Sequence, residues 1–460
     1  MLRGQGMGGI MQRLRNSTLF CYALVDVPVA MSIFPIIVFL PRFYNAEVGL
    51  PLATIGTVLL VSRIFDVITD PLMGYISDHT RSRWGRRRPW ILLSIPFMMA
   101  GIFQLFMPPE DAGWGHLLFW SMLLSLGTTM MLIPYYAWGS ELSPEYNERS
   151  RVTGARSMAG VAGSFLAQAI PAIALAVFAI GGSAAVLEIV GYTMLILMPI
   201  CVAVTLWGTP DAAVQVTSTV PMLKGLKLMT KNGPFLRLAS AFTVGSIGLS
   251  ITTPLYIFFI ADVLHAEEKA IYMLAFFYIA NLLSIPVWVK LSTLFGKHPT
   301  YMASFVLIAC AHPFYMLLGP GDFWYMLPIT IVTGVAAGGF SSALPNSMKA
   351  DVIDLDTLMS GENRAAFFFS SWSFVQKMVA SVGAAIATFG LAAVGFDAGK
   401  ENTEEELFGL RFLFSTLPSV FYLGAAALMI GYPITEARHA EIRKELEARA
   451  LGVRPSSTTA

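Results

Sequence analysis

Twelve apolar runs, each long enough to cross a lipid bilayer, leave this chain few ways to fold. A bilayer core takes about 20 apolar residues per helix. Such runs fall at 19–41, 51–78, 90–107, 115–141, 155–182, 184–207, 234–264, 269–293, 300–318, 323–350, 365–395 and 407–432. Pro28, Pro71, Pro134, Pro171, Pro286 and Pro345 lie inside them. They would break helices in water and are tolerated in membrane helices, where neighbours re-satisfy the freed backbone groups. Of the 460 residues, 55% are hydrophobic and 13% charged, against about 25% charged in soluble domains. So much apolar surface needs lipid as its solvent. The expected fold class is all-α integral membrane, with the lipid bilayer as partner.

A net charge of +1 gives no reason to expect nucleic acid. Cys21, Cys201 and Cys310 lie far apart in apolar runs and read as small packing residues, not as a metal cluster. The basic segment with Arg3, Arg13 and Arg15 precedes a run long enough to span and without a small-residue cleavage site. No cleavable signal peptide is expected. No nucleophile–base pair or ligand cluster gathers near one face, and no G-x-x-x-x-G-K-[ST] sequence occurs. The expectation is a monomeric transporter of a small molecule, not an enzyme, with no cofactor and no use of ATP.

Charge separates the two faces. Alternate connections carry Arg81, Arg83, Arg86, Arg87 and Arg88; Arg149, Arg151 and Arg156; Lys224, Lys227, Lys231 and Arg237; Lys297; and Arg438, Arg443, Lys444 and Arg449. The opposite loops hold Glu110, Asp111, Asp322, Glu401 and Glu404–Glu406. Basic loops face the cytoplasm, so both termini are expected there, in a bacterial inner membrane. The long sixth connection divides the chain into an N-terminal six-helix bundle (1–207), a cytoplasmic linker (208–233), a C-terminal bundle (234–432) and a cytoplasmic tail (433–460). The bundles repeat. Gly85-Arg86-Arg87-Arg88-Pro89 corresponds to Gly296-Lys297-His298-Pro299, and Pro134 ahead of Glu141 corresponds to Pro345 ahead of Asp351, at one offset: 296 − 85 = 345 − 134 = 211. Such a repeat signals a transporter with its site near the midplane, between two bundles.

Charges inside spans are costly and need a reason. The richest set is Arg63-Ile64-Phe65-Asp66-Val67-Ile68-Thr69-Asp70-Pro71. Asp66 and Asp70 are four apart and share one helix face. Two carboxylates that close either share a proton or hold a small cation, because their repulsion is unscreened in low dielectric. Thr69 adds a hydroxyl oxygen, and Arg63 stands three residues before Asp66 as a charge partner. The competing reading is an ion-pair network that holds spans together. Asp78, beside Arg81 and Arg83, reads as a loop-anchoring salt bridge.

The stretch RIFDVITDPLMGYISDHTRSRWGRRRPW resembles the second-span signature of the glycoside-pentoside-hexuronide:cation symporters, the melibiose-permease-like branch of the major facilitator superfamily. IPYYAWGSELSPEYNERSRVTGAR, ADVIDLD, Gly361-Glu362-Asn363-Arg364 and Phe374-Val375-Gln376-Lys377 extend the resemblance along the chain in order. It implies the major facilitator fold, twelve helices in two six-helix bundles, and cation-coupled symport of a sugar or glycoside by alternating access. It implies a sodium, lithium or proton site at Asp66 and Asp70, with Thr69 standing where the family has Asn, Thr129 sharing the site and Lys377 as a charge partner. Arg156 matches an arginine that faces the sugar. The departures are Leu132, where the family has a sugar-gripping aspartate, and Tyr136, where it has Trp. Asp26 lies about one turn from the family's first-span acid, whose gapless position is Ala30. Galactosides are therefore disfavoured. Leu132 fits the sodium-dependent lysophosphatidylcholine symporters of the same branch better, and an amphiphile is the alternative substrate. Asp26, Leu132, Tyr136, Arg156 and Trp372 are the candidate substrate residues, with Gln168, Asn281, Asn346 and Gln376 as weaker cavity candidates. His312 reads as a packing histidine.

Overall fold

The computed structural model describes residues 14–142, 146–178, 182–211, 232–360 and 365–450. Among these residues there are helices and turns and no strand. The first half comprises α1 (Asn16–Ala23), α2 (Asp26–Val38), α3 (Leu40–Ala46), α4 (Leu52–His79), α5 (Arg88–Phe106), α6 (Trp114–Glu141), α7 (Tyr146–Phe178) and α8 (Ser183–Gly208). The second comprises α9 (Gly233–Phe258), α10 (Ala270–Phe295), α11 (Lys297–Ala311), α12 (Met326–Ala337), α13 (Leu344–Ser360), α14 (Ala365–Ala393) and α15 (Glu404–Leu428), followed by α16 (Glu436–Ala450). Eleven helical segments are long and apolar enough to cross a membrane, with Met378–Ala393 of α14 as a shorter apolar stretch. With α14 as the twelfth, the span count matches the sequence expectation.

The ends and breaks have local causes. The first span is not one helix over 19–41. It breaks at Leu24–Val25 and at Phe39, because Pro28 and Pro41 each lack an N–H and crowd the carbonyl four residues earlier. Asn232 caps α9 by accepting from the Phe235 N–H at 3.0 Å. Thr403 and Glu406 form a reciprocal capping box at the start of α15. The tenth span passes through a π-turn at Gly338–Ala343 and continues as α13 to Ser360, ten residues beyond the expected end. The extension carries Asp351 and Asp354, which pair with Lys297 and His439. α7 begins at Tyr146, nine residues before its expected start, and its polar first turns are held by Glu148, which pairs with Arg151 at 2.7 Å and accepts from the Leu14 N–H at 3.1 Å. Linker residues 212–231, the segment Gly361–Arg364 and tail residues 451–460 lie outside the described residues.

The repeat seen in the sequence is also a repeat of packing. In the first half α2 packs on α7 and α8, α6 on α4 and α5, and α5 on α8. In the second, α9 packs on α14 and α15, α12 on α10 and α11, and α11 on α15. Glycine enables the closest of these contacts in both halves. A Cβ on Gly163 of α7 would collide with the backbone of Val27 in α2, and one on Gly383 of α14 with Ser250 in α9. The halves meet where α4 lies on α14, α7 on α10 and α2 on α9.

Each half closes its own end at the face that carries Leu14 and α16, called the terminal face below. Arg87 bonds Glu141 at 2.6 Å, Asp78 at 2.5 Å and Ser77 at 2.7 Å, while Arg86 reaches Glu141 at 3.0 Å. Asp78 is a loop anchor as expected, with Arg87 as its partner. Burial works against the Arg87 charge, but the hydrogen bonds and charges of Glu141 and Asp78 outweigh it and hold the guanidinium above its ordinary pKa. In the second half Lys297 bonds Asp351 at 2.7 Å, and His439 of α16 lies 3.4 Å from Asp351 and 3.1 Å from Asp354. Gly85 and Gly296, the matched glycines, both take positive φ, 91° and 87°, a conformation that costs glycine little. Glu141→Ala leaves two arginines at one buried site without their shared acceptor. We expect it to cost about 3–5 kcal/mol, read as a lowered melting temperature in detergent, with Glu141→Gln intermediate.

Candidate functional site

The acids of α4 face α6 at matched spacing. Ser125 donates to Asp66 Oδ1, and Thr129 donates to Asp70 Oδ1 at 2.8 Å. Both pairs are 59 residues apart in sequence. One helical turn separates the acids on α4, and one turn separates the hydroxyls on α6, so the pairs stack as two rungs between the helices. Asp66, Ser125 and Thr129 are buried. Arg63 Nη1 lies 3.1 Å from Asp66 Oδ2 on a side chain that is 40% exposed, the charge pairing its spacing suggested. Thr69 is buried beside them, but its hydroxyl donates to the Phe65 carbonyl of its own helix at 3.1 Å. The Lys377 side chain lies outside the described residues. All the donors grouped here are oxygens, two carboxylates and two hydroxyls, which is the ligand chemistry of a hard cation.

A second cluster joins the first span to α6 and α7. Arg156 Nε bonds Asp26 Oδ2 at 3.0 Å. The Tyr135 hydroxyl lies 3.1 Å from the same carboxylate oxygen and 2.8 Å from the Tyr22 carbonyl, so its single proton serves one acceptor at a time. Tyr22 donates to the Tyr135 carbonyl at 2.8 Å, and their rings stack at 4.5 Å. The Arg156 guanidinium sits 3.7 Å from the centre of the Tyr136 ring, a close cation–π contact. Tyr136 is 39% exposed. Asp26, Tyr136 and Arg156 are therefore brought together in one charge-balanced patch of carboxylate, guanidinium and aromatic face.

Leu132 and Trp372 are placed differently. Leu132 is buried within a hydrophobic core that both halves share. Trp372 is buried against Phe242, with ring centres 4.4 Å apart, and beneath the ammonium of Lys349 at 4.8 Å. Gln168 is buried and donates to the Ser164 carbonyl at 3.0 Å. His312 is buried among Tyr315, Phe414 and Tyr422, in keeping with a packing role. Sequence reasoning passed over Ser125, Tyr135 and Lys349. Ser125 had a signal: it precedes Thr129 by four, as Asp66 precedes Asp70. Lys349 is a charge inside an apolar span and merited the same attention as the acids.

A family model described as MFS/sugar transport protein matches residues 21–436. The sodium-dependent lysophosphatidylcholine symporter 1 of Mus musculus is 26% identical, over 95% of this chain and 89% of its own length. The glucuronide carrier protein homologue of Escherichia coli is 23% identical, over 95% of this chain and 97% of its own. Among solved structures, a bacterial homologue of the human lysosomal transporter Spinster, inward-facing and unoccupied, superposes with a TM-score of 0.64 at 14% identity, covering 94% of this chain and 96% of that one. The fold is thus that of the major facilitators.

The two kinds of placement lead to different expectations. Leu132→Ala is expected to lower thermal stability, by about 2–5 kcal/mol for a buried leucine, while folded protein keeps its ligand affinity. Tyr136→Ala is expected to lower affinity with a smaller loss of stability. Melting curves and ligand titrations on both variants check this.

Proposed function

The chain belongs to the MFS/sugar transport family, and on that premise we propose that it is a cation-coupled symporter of a sugar or glycoside working by alternating access. The observation that carries the reading is the double rung of Asp66–Ser125 and Asp70–Thr129, an all-oxygen donor set between two spans in which Asp66, Ser125 and Thr129 are buried. Two carboxylates one turn apart repel strongly in low dielectric, and a small cation between them removes that repulsion. Sodium suits the donor set, and a shared proton is the alternative coupling ion. As the cation enters, Ser125 and Thr129 turn oxygen lone pairs towards it. Arg63 competes with it for Asp66, and Lys377 serves as a charge partner from α14. Asp26, Arg156 and Tyr136 form the substrate patch. Its carboxylate and guanidinium suit the hydroxyls of a sugar, and the exposed Tyr136 ring offers a flat face to stack against one.

An amphiphile such as a lysolipid is the competing substrate. It is favoured by the cleft between α2, α4, α9 and α14, lined largely by apolar residues, Ile36, Leu59, Leu60, Pro254 and Ala384 among them, together with Arg63. The proposed division is two bundles, 1–207 and 234–432, joined by a cytoplasmic linker and followed by a cytoplasmic tail, in a monomer of the bacterial inner membrane. Alkaline phosphatase fused after residue 460 should be inactive, because the basic loops place that end in the cytoplasm. An active fusion would contradict the orientation.

Reconstituted protein tests coupling and substrate together. Uptake of glycosides and of lysophosphatidylcholine is measured with a sodium gradient, with a proton gradient and with neither. Asp66→Asn and Asp70→Asn should each abolish gradient-driven accumulation and weaken substrate binding less. Linkage is reciprocal, so the cation should raise substrate affinity in wild type and lose that effect in both variants. Accumulation with unchanged cation dependence in both would reduce the carboxylates to structural ion pairs.

A further inference from the structure

The face opposite the termini holds a charge cluster with no part in either site. Arg42, on α3 just past the first span, has a side chain only 9% exposed. Its guanidinium pairs with Asp262, on the π-turn Phe259–Val263 that ends α9, and lies 3.2 Å from Glu267, just ahead of α10. Glu267 accepts from the backbone N–H of Ser183 at 3.0 Å and from its hydroxyl at 2.5 Å. Ser183 is the first residue of α8. The turn between the two carboxylates holds His265 at φ 51°, a backbone conformation that non-glycine residues adopt uncommonly. Beside the cluster, Asn45 accepts from the Ala398 N–H at 2.8 Å. Four residues thus tie the ends of the first and sixth spans to those of the seventh and eighth, across the seam between the halves. The terminal-face pairs Arg87–Glu141 and Lys297–Asp351 instead join helices within one half.

We propose that the Arg42–Asp262–Glu267–Ser183 cluster is a latch that holds this far face closed, and that its parting opens the central site to that side. The proposal rests on the alternating-access reading. One cation between two partly buried carboxylates is held while all three stay together. When the halves separate there, water takes over the solvation of each group, which offsets the lost attraction. Closed and open arrangements are then both accessible, and ligands choose between them. Asp262 and Glu267 both belong to the second half, so loss of Arg42 removes the ion pairing that draws the first half to them, which favours separation.

The test is distance measurement between spin labels in lipid nanodiscs, with Cys21, Cys201 and Cys310 replaced by serine. Glu47→Cys with Glu268→Cys spans the far face, and Ser82→Cys with Glu436→Cys spans the terminal face; all four positions are exposed. Arg42→Ala should raise the population with the longer far-face distance by about five-fold or more, within ordinary coupling strengths, and shorten the terminal-face distance. Arg42→Glu should do the same. Adding Glu267→Arg to it restores one cation and two carboxylates and should return the distribution towards wild type, a rescue that a merely structural residue would not give. If wild type answers cation with opposite changes at the two faces while Arg42→Ala is indistinguishable from it, the latch is overturned and the transport reading stands. If the charge swap leaves the far face as open as Arg42→Glu alone, the latch is likewise overturned. A wild type with one fixed distance at each face, whatever the cation, would instead remove the alternating-access premise, and the latch with it.

Discussion

An ionised side chain at the centre of a bilayer costs about 2.5–3.5 kcal/mol even on insertion scales, and the helix arrangement follows from how this chain meets that cost. Lipid tails are as apolar as leucine, so apolar surface alone does little to choose one helix neighbour over another. The polar pairs do choose. Asp26 and Arg156 join α2 to α7. Asp66 with Ser125 and Asp70 with Thr129 set α4 against α6. Arg87 gathers the ends of α4 and α6 at the start of α5. Lys297, Asp351 and His439 collect α11, α13 and α16. Each pairing joins elements that also pack closely or meet at one end, so charge satisfaction and helix packing agree.

Helix α6 connects the two candidate sites. Ser125 and Thr129 serve the acids of α4, and Tyr135 and Tyr136 meet Asp26 and Arg156 from the same helix. Thr129 and Tyr136 are seven residues apart, roughly 10 Å along the axis. Pro134 lies between them and leaves the Met130 carbonyl without its usual backbone donor. A cation bound there as proposed would draw on Ser125 and Thr129 and so pull on the segment that presents Tyr136, with a softened turn between the two. This gives reciprocal coupling a short route through one element.

Much of this architecture is legible in sequence, because the bilayer imposes a length and a polarity on every span. The repeat was visible through two glycine–proline landmarks at one offset. It reappears as equivalent packing and as paired ion clusters around Glu141 and Asp351. The acids of the second span stood out because carboxylates are rare in apolar surroundings. Other features resist such reading for equally physical reasons. Arg42 and Glu267 sit at span ends, where charges are ordinarily solvated, and only the approach of two distant segments buries them. A serine in an apolar run is nearly silent, so Ser125 emerges only when the facing helix is known. Leu132 stands where the family has a sugar-gripping aspartate and Trp372 reads as a cavity candidate, and only the structure shows that both side chains are buried. α7 starts ahead of its apolar run and α13 ends beyond its run, because hydropathy marks where lipid stops, whereas helices continue as long as caps and ion pairs sustain them.

Gly163 and Gly383 bring helix backbones into direct contact within each half. A backbone-on-backbone joint has no layer of side chains on which to slide, so α2 with α7, and α9 with α14, behave as welded beams. Movement in the proposed cycle would then fall to the seams where α4 meets α14 and α7 meets α10. Acyl chains alongside those seams would then be part of the hinge. The thickness and lateral pressure of the surrounding bilayer then enter the transport cycle as mechanical loads.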